Sequence, residues 1–217
     1  MSENRQESKA LGHDDSSGFA FIKRVLKDNP TAAINFDRLQ KTPDGQYIIF
    51  ELLKCDEGQF VSPYTSHPSR YWNKNARKFL SLWRASQDFH AKLYLVNYAD
   101  VNTKYSDQVL LIEVQDMDEN GITSQKITKH TIDTFSEWFV KTNNFCLEPI
   151  EKLIEDIYKN KSREELGKIT LKNGKYKGST ISEIAKTNIN YLEWLSGTKY
   201  NYSLAAKYYL NIIKTEG

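Results

Sequence analysis

Residues 34–55 read INFDRLQKTPDGQYIIFELLKC. Two runs of β-forming residues flank Thr42-Pro43-Asp44-Gly45. Proline, then Asp, then Gly is the chemistry of a type I turn followed by a left-handed residue, so a hairpin with a three-residue loop is expected. If Thr42 pairs with Gln46, opposed residues sum to 88 and Asp37 lies across from Glu51. Their Cβ atoms would then be roughly 4.5–5.5 Å apart. Glu51 interrupts the apolar run YIIFELL, and Leu39, Ile49 and Leu53 are its same-face neighbours. Two carboxylates in that setting repel, and a cation or a shared proton relieves them. A hard divalent ion such as Mg²⁺ takes one or two carboxylates plus water and substrate phosphate, so Asp37 and Glu51 are candidate metal ligands. The competing reading shifts the register by one, sends the two side chains to opposite faces and pairs Glu51 with Arg38 or another base.

The rest of the chain frames that hairpin. Its 217 residues are 39% hydrophobic and 27% charged, as expected of one ordinary domain plus a small one. The net charge of +2 means that affinity for nucleic acid has to come from local patches. Cys55 and Cys146 stand apart and the four histidines are scattered, which argues against a structural zinc site and for a reducing, cytoplasmic setting. No stretch approaches the roughly 20 apolar residues of a membrane span, so no membrane partner is expected. The polar opening MSENRQESKALGHDDSSG lacks an apolar core and reads as a disordered lead-in (1–17).

Helices are expected over 19–28, with Phe19, Ile22 and Leu26 on one face, and over 70–88. In the second, Trp72, Ala76, Phe79, Leu80 and Trp83 make the apolar stripe. Strands follow at 92–98 and 108–117. Thr131 is placed to cap a helix running to about Thr142, with Ile132, Phe135, Trp138 and Phe139 inward, and 149–160 is another helix. The charged stretch 159–166 reads as a linker between a domain at 18–158 and a module at 167–217. In that module Asn173-Gly174 marks a hairpin and Thr180-x-x-Glu183 a capping box. Away from the Trp/Phe stripe, Arg70, Lys74, Arg77, Lys78 and Arg84 form a basic helix side, with only Asp88 acidic. Such a stripe suits a phosphate backbone, although a solvated surface is the commoner role of such charges.

The order helix, hairpin with Asp then Glu, helix, strand resembles the PD-(D/E)xK nuclease superfamily. The motif-bearing part covers residues 18–115 and the whole core about 18–148. The resemblance implies an α/β (α+β), restriction-endonuclease-like mixed sheet flanked by helices, and a deoxyribonuclease using Mg²⁺ or Mn²⁺. Asp37 and Glu51 match the two acidic positions. The family lysine, which serves the attacking water, falls two residues after Glu51, where Leu53 stands. Lys54 is the nearest candidate if a bulge turns it back, and Lys74 or Lys78 from the next helix are alternatives. A site that has lost its chemistry, leaving a nuclease-fold DNA-binding protein, is the remaining reading. DNA is the expected partner, RNA stays open, and many nucleases of the superfamily act as homodimers.

The tail LKNGKYKGSTISEIAKTNINYLEWL resembles the C-terminal module of exonuclease X-type DNA exonucleases, on GKYKG (174–178), Thr180–Ala185 and YLEWL (191–195). This resemblance covers 167–217 and implies an accessory nucleic-acid-binding module. Lys172, Lys175 and Lys177 crowd one turn, and from residue 165 onward eight lysines stand against four glutamates. Tyr176 has a stacking and a packing reading, while Tyr191, Trp194 and Leu195 are expected in the module's core. The tyrosines at 200, 202, 208 and 209 offer a third reading, a protein-partner surface.

Overall fold

The computed structural model describes residues 15–27, 29–56, 58 and 60–216. They form two compact units, one ending at Leu147 and one beginning at Glu148. The first unit holds α1 (Asp15–Leu26), β1 (Arg38–Lys41), β2 (Tyr47–Lys54), α2 (Trp72–Asp88), β3 (Ala91–Tyr98), β4 (Gln108–Asp118), β5 (Gly121–Thr131) and α3 (Ile132–Cys146). Residues 1–14 of the expected lead-in lie outside the described residues, and its last three open α1 instead. Ile22, expected on a packing face of that helix, is exposed.

The five strands form one mixed sheet in the order β1-β2-β3-β4-β5. Only β2 and β3 run parallel, because α2 carries the chain between them; the other neighbours are antiparallel. This is the α/β class expected from the sequence, a mixed sheet flanked by helices. The β1–β2 hairpin closes as its loop chemistry dictates. Thr42 N–H donates to the Gln46 carbonyl at 2.8 Å, Gly45 N–H donates to the Thr42 carbonyl at 2.9 Å, and Gly45 has φ of 92°. Its register is Arg38–Phe50, Leu39–Ile49, Gln40–Ile48 and Lys41–Tyr47, so every pair sums to 88.

Both faces of the sheet are covered. Ile49, Leu93, Leu95, Leu110, Ile112 and Val114 pack with Trp72, Phe79 and Leu82 of α2. Ile48, Phe50, Tyr94, Val96, Val109 and Leu111 pack with Phe135, Trp138 and Phe139 of α3. Burial on both sides is why YIIFELL reads as a continuous run rather than an alternation. Thr131 caps α3 by accepting from the Thr134 N–H, as expected, but Ile132 is exposed rather than inward. β5 lies beyond the strands expected from the sequence. It is a mostly polar edge strand carrying Lys126 and Lys129, the kind of edge that resists further pairing.

The second unit contains α4 (Ile150–Tyr158), α5 (Arg163–Gly167), α6 (Ile181–Thr187), α7 (Ile189–Ser196) and α8 (Ser203–Glu216). Its core gathers Leu166, Leu171, Ile181, Ile184, Leu192, Leu195 and the Ala205–Leu210 side of α8. Residues 159–166, expected as a linker, are instead part of the second unit. Ser162 and Glu165 form a reciprocal capping box that opens α5, and Leu166 is fully buried. Helix α4 also belongs here rather than to the domain expected at 18–158. Tyr158 packs on this core, and the Tyr208 hydroxyl donates to Glu155 Oε1 at 2.8 Å. The hairpin expected at Asn173-Gly174 reduces to one antiparallel bridge, Thr170–Thr180, around a compact turn. Gly174 has φ of 81°, and a Cβ there would meet the Tyr191 hydroxyl at 3.5 Å.

The boundary has a measurable consequence. A fragment of residues 148–217 is expected to melt cooperatively in urea. One of 167–217 loses the buried Leu166, worth about 2–5 kcal/mol in a core, and is expected to show no cooperative transition. Equal melting of the two fragments would place the boundary at 167 after all.

Candidate active site

Glu51 is 4% exposed in a strand buried on both faces. It shares the α2 face with Ile49 and Leu53, and on that face Lys78 of α2 contacts it: Lys78 Nζ forms an ion pair with Glu51 Oε1. The pair is asymmetric, because the Lys78 side chain is 42% exposed while that of Glu51 is 6% exposed. Burial raises the Glu51 carboxyl above its ordinary range, Lys78 pulls it back in part, and the negative charge of Asp37 adds a smaller upward push.

Asp37 stands where the hairpin ladder stops. The last pair is Arg38–Phe50, one step before Asp37 and Glu51 would face each other. Instead the Asp37 N–H donates to the Phe50 carbonyl at 3.1 Å. Its Oδ2 accepts from the Leu52 N–H at 2.6 Å. A side chain thus takes over a ladder bond of β2, leaving the exposed Asp37 carboxylate at the open edge beside Glu51. The Asp37–Glu51 neighbourhood follows from the register, but its geometry is a strand end rather than a cross-strand pair.

Lys54 is elsewhere. The β2–β3 register is continuous through Lys54–Tyr98, with no bulge to turn it. It lies three residues beyond Glu51 and therefore on the opposite face. Its ammonium meets Asp100 at 3.2 Å and Asp56 at 3.7 Å, and the Asp100 carboxylate holds it above its usual range. Of the three lysines weighed for this role, Lys78 is the one at Glu51.

Arg70, Lys74 and Arg77 are exposed on and just before α2, in the same stripe as Lys78. Lys74 and Lys78 are one turn apart on α2, so a cationic pair leads along the helix to the Glu51 carboxylate, while Arg70 belongs to the short turn Pro68–Tyr71 that precedes α2 rather than to the basic helix side expected from the sequence.

The loop before α2 and the first turn of that helix carry Tyr64, His67, Tyr71 and Asn73, all of a type able to reach a ligand. The loop is fixed in part by Asn97, which the sequence did not single out. Asn97, fully buried on β3, donates through Nδ2 to the Ser66 carbonyl and to that of Pro63 at 3.4 Å, while its Oδ1 has no partner among the described residues. Tyr64 donates to the His130 carbonyl at 2.8 Å, and His67 Nε2 meets Gln125 Oε1 at 2.8 Å. Those two loop residues are anchors. Tyr71 sits close enough to feel both Cys55 and Glu51, and burial first, then those charges, push its phenol up to about 12. A strand Asn in an apolar run was the available signal for Asn97.

In the second unit, Lys172, Lys175 and Lys177 share the turn before α6, with Lys175 Nζ over the Tyr176 ring at 5.5 Å from its centroid. Tyr176 is packed: its hydroxyl accepts from Asn188 Nδ2 at 2.9 Å and its ring lies 4.5 Å from that of Tyr191. Leu195 is core, as expected. Trp194 is not, being 54% exposed.

Residues 171–197 match the family model described as exodeoxyribonuclease X-like C-terminal, so this segment is similar to a module named for a nuclease. No curated protein and no solved structure matches the chain. Among the described residues no helix is long and apolar enough to cross a membrane. No group of three or more His, Cys, Asp or Glu side chains able to hold a metal occurs among them either.

The ion pair makes a stability prediction with a definite sign. With its pKa raised on folding, Glu51 binds a proton more readily in the folded chain than in the unfolded one. Stability therefore falls as pH rises from about 4.5 through the raised value. Glu51→Gln removes that penalty, while the exposed Lys78 regains water. The variant is expected to gain about 1 kcal/mol at pH 7 and little or nothing at pH 4, read from urea melts. Lys78→Ala should instead lose about 1–2 kcal/mol at pH 7, and the double variant should recover most of it. A Glu51→Gln variant less stable than the parent at pH 7 would contradict the raised pKa.

Proposed function

We propose that this chain is a metal-dependent nuclease acting on DNA, with Asp37 and Glu51 as the acidic ligands and the C-terminal module as an accessory DNA-binding element. The observation that carries the reading is Glu51: a carboxylate buried in a two-sided sheet, next to a second carboxylate, at the point where the strand ladder opens. The family match in the second unit supports it independently. Two carboxylates are a small donor set, but a hard divalent cation commonly takes one or two with water and substrate phosphate completing its shell, so the residues fit Mg²⁺ or Mn²⁺. Bound there, such an ion would polarise the phosphodiester and lower the pKa of a water.

The chain's own groups have separable roles in this reading. Glu51 is held in place by the sheet and by Lys78, and Asp37 by the Leu52 N–H. Lys78 takes the part that the PD-(D/E)xK resemblance assigns to a lysine after the second acid, reaching the site from α2 instead of from β2. Its partly exposed ammonium can turn from Glu51 toward a phosphate oxygen. Lys74 and Arg77 on the same helix, with Arg70 just before it, would contact the phosphate backbone.

A second reading, a DNA-binding protein without catalysis, is favoured by one observation: the Lys78 ammonium pairs directly with the Glu51 carboxylate and supplies it with a counter-charge from the chain itself.

Linear and circular DNA, single- and double-stranded, incubated with Mg²⁺, Mn²⁺ or EDTA separates the two. Cleavage is expected with either metal and absent in EDTA. Asp37→Asn, Glu51→Gln and Lys78→Ala are each expected to lower the rate by about 10²-fold or more, while Lys54→Ala changes it less than about twofold. A parent protein that cleaves none of these substrates would leave the binding reading.

A further inference from the structure

The turn at 171–175 and the segment Lys199–Tyr202 border a cavity of about 650 Å³ in the second unit. Its wall is aromatic. Tyr191 and Trp194 lie with ring centroids 5.3 Å apart, and Trp194 and Tyr200 6.1 Å apart, in one continuous row. Trp194 is 54% and Tyr200 67% exposed. Two large rings are therefore held side by side in water, next to a core that buries Leu192 and Leu195 from the same helix. Among the described residues the lining also contains Lys175 and Lys199, the amides of Asn173 and Asn201, and no carboxylate. Glu193, the nearest acid in the α7 sequence, meets Lys214 at 3.5 Å.

A flat occupant with negative charge beside it satisfies this lining. The exposed rings supply stacking faces, the two lysines supply phosphate contacts, and the amides supply donors and acceptors for a base edge. Cationic ligands, which aromatic walls otherwise attract, are opposed by Lys175 and Lys199. A base-paired duplex keeps its bases stacked inside and offers these rings no face.

We infer that this cavity binds unpaired nucleotides of single-stranded DNA, a base stacking on Trp194 and Tyr200 and its phosphate lying between Lys175 and Lys199. This rests on the reading of the module as DNA-binding and gives it a preference for single strands. It also moves the recognition surface away from the lysine turn alone, since Trp194 and Tyr200 do the selecting.

The test uses the full chain in EDTA, so that cleavage plays no part. Fluorescence anisotropy compares a labelled 12-nucleotide oligo(dT) with a blunt 12-base-pair duplex for the parent, Trp194→Ala, Trp194→Phe, Tyr200→Ala and Lys199→Ala. The parent is expected to prefer oligo(dT). Trp194→Ala and Tyr200→Ala should each weaken that binding about tenfold or more, and Lys199→Ala should weaken it and flatten its salt dependence. Trp194→Phe should retain most of the affinity, and duplex binding should change less than about twofold throughout. Because Trp194 and Tyr200 are largely exposed, the variants should still melt cooperatively in urea, losing no more than about 1 kcal/mol of ring contacts, which separates lost binding from lost fold. The inference is overturned if the parent binds no oligo(dT), if the alanine variants bind it as the parent does, or if duplex binding falls equally. Asp37→Asn should bind oligo(dT) like the parent; failed cleavage beside intact, Trp194-dependent binding would refute the nuclease reading and leave this one standing.

Discussion

A charge inside a two-sided sheet sets the terms for the first unit. β2 is covered by α2 on one face and by α3 on the other, so Glu51 has little access to water along most of its side chain. An isolated carboxylate there would neutralise or unfold its surroundings. Two arrangements prevent that. α2 presents Lys78 to Glu51 on one face, and the hairpin ladder ends at Arg38–Phe50 so that the strand edge opens beside it. Both follow from the path of the chain, since β2 feeds α2 through the 60–71 loop and β1 departs through Asp37. The anchoring of that loop by Asn97, Tyr64 and His67 is then part of the same constraint: without it, the start of α2 and the height of Lys78 above the sheet would not be fixed.

Such a site is costly to stability. A Phe–Ile–Leu core would be satisfied by an apolar residue at position 51, and a raised carboxyl pKa is the direct sign that folding works against the charge. Sites of this kind are retained where chemistry needs them more often than where packing does. That asymmetry, rather than the acidic motif alone, is the physical ground for reading Glu51 as functional.

How much of this was legible depended on whether the signal was local. The Pro43-Asp44-Gly45 loop fixes the hairpin register by chemistry within four residues, and the observed pairs follow it. The Thr180–Glu183 capping box was equally local and is present. Ser162-x-x-Glu165 is the same pattern, yet the surrounding charge hid it and a linker was expected in place of α5. β5 was missed although Asn120-Gly121 follows Asp118, whose Oδ1 accepts from both of their N–H groups. As an edge strand it has the polar composition of a loop. Assigning the lysine was a tertiary question: strand parity excludes Lys54, but choosing Lys78 over Lys74 requires knowing how α2 lies on β2. Trp194 failed for another reason. Its segment YLEWL has helical periodicity, and a large aromatic in such a stripe is read as core unless the neighbouring chain leaves its face open.

Under the proposed reading the two units divide the work that the net charge of +2 cannot do globally. A two-carboxylate site leaves most of a cation's coordination to water and to the substrate's own phosphate, so under the proposed reading metal and DNA bind cooperatively and neither binds tightly alone. A weak coupled site of that sort gains from any second contact that keeps the strand nearby, because linkage converts the encounter into a local one whatever the intrinsic affinity. The aromatic cavity in the second unit is suited to that part: stacking is tolerant of sequence and loses less to salt than phosphate contacts do. Holding by rings and cutting by carboxylates would then respond differently to salt and to metal, and a protein built this way needs no large basic surface at all.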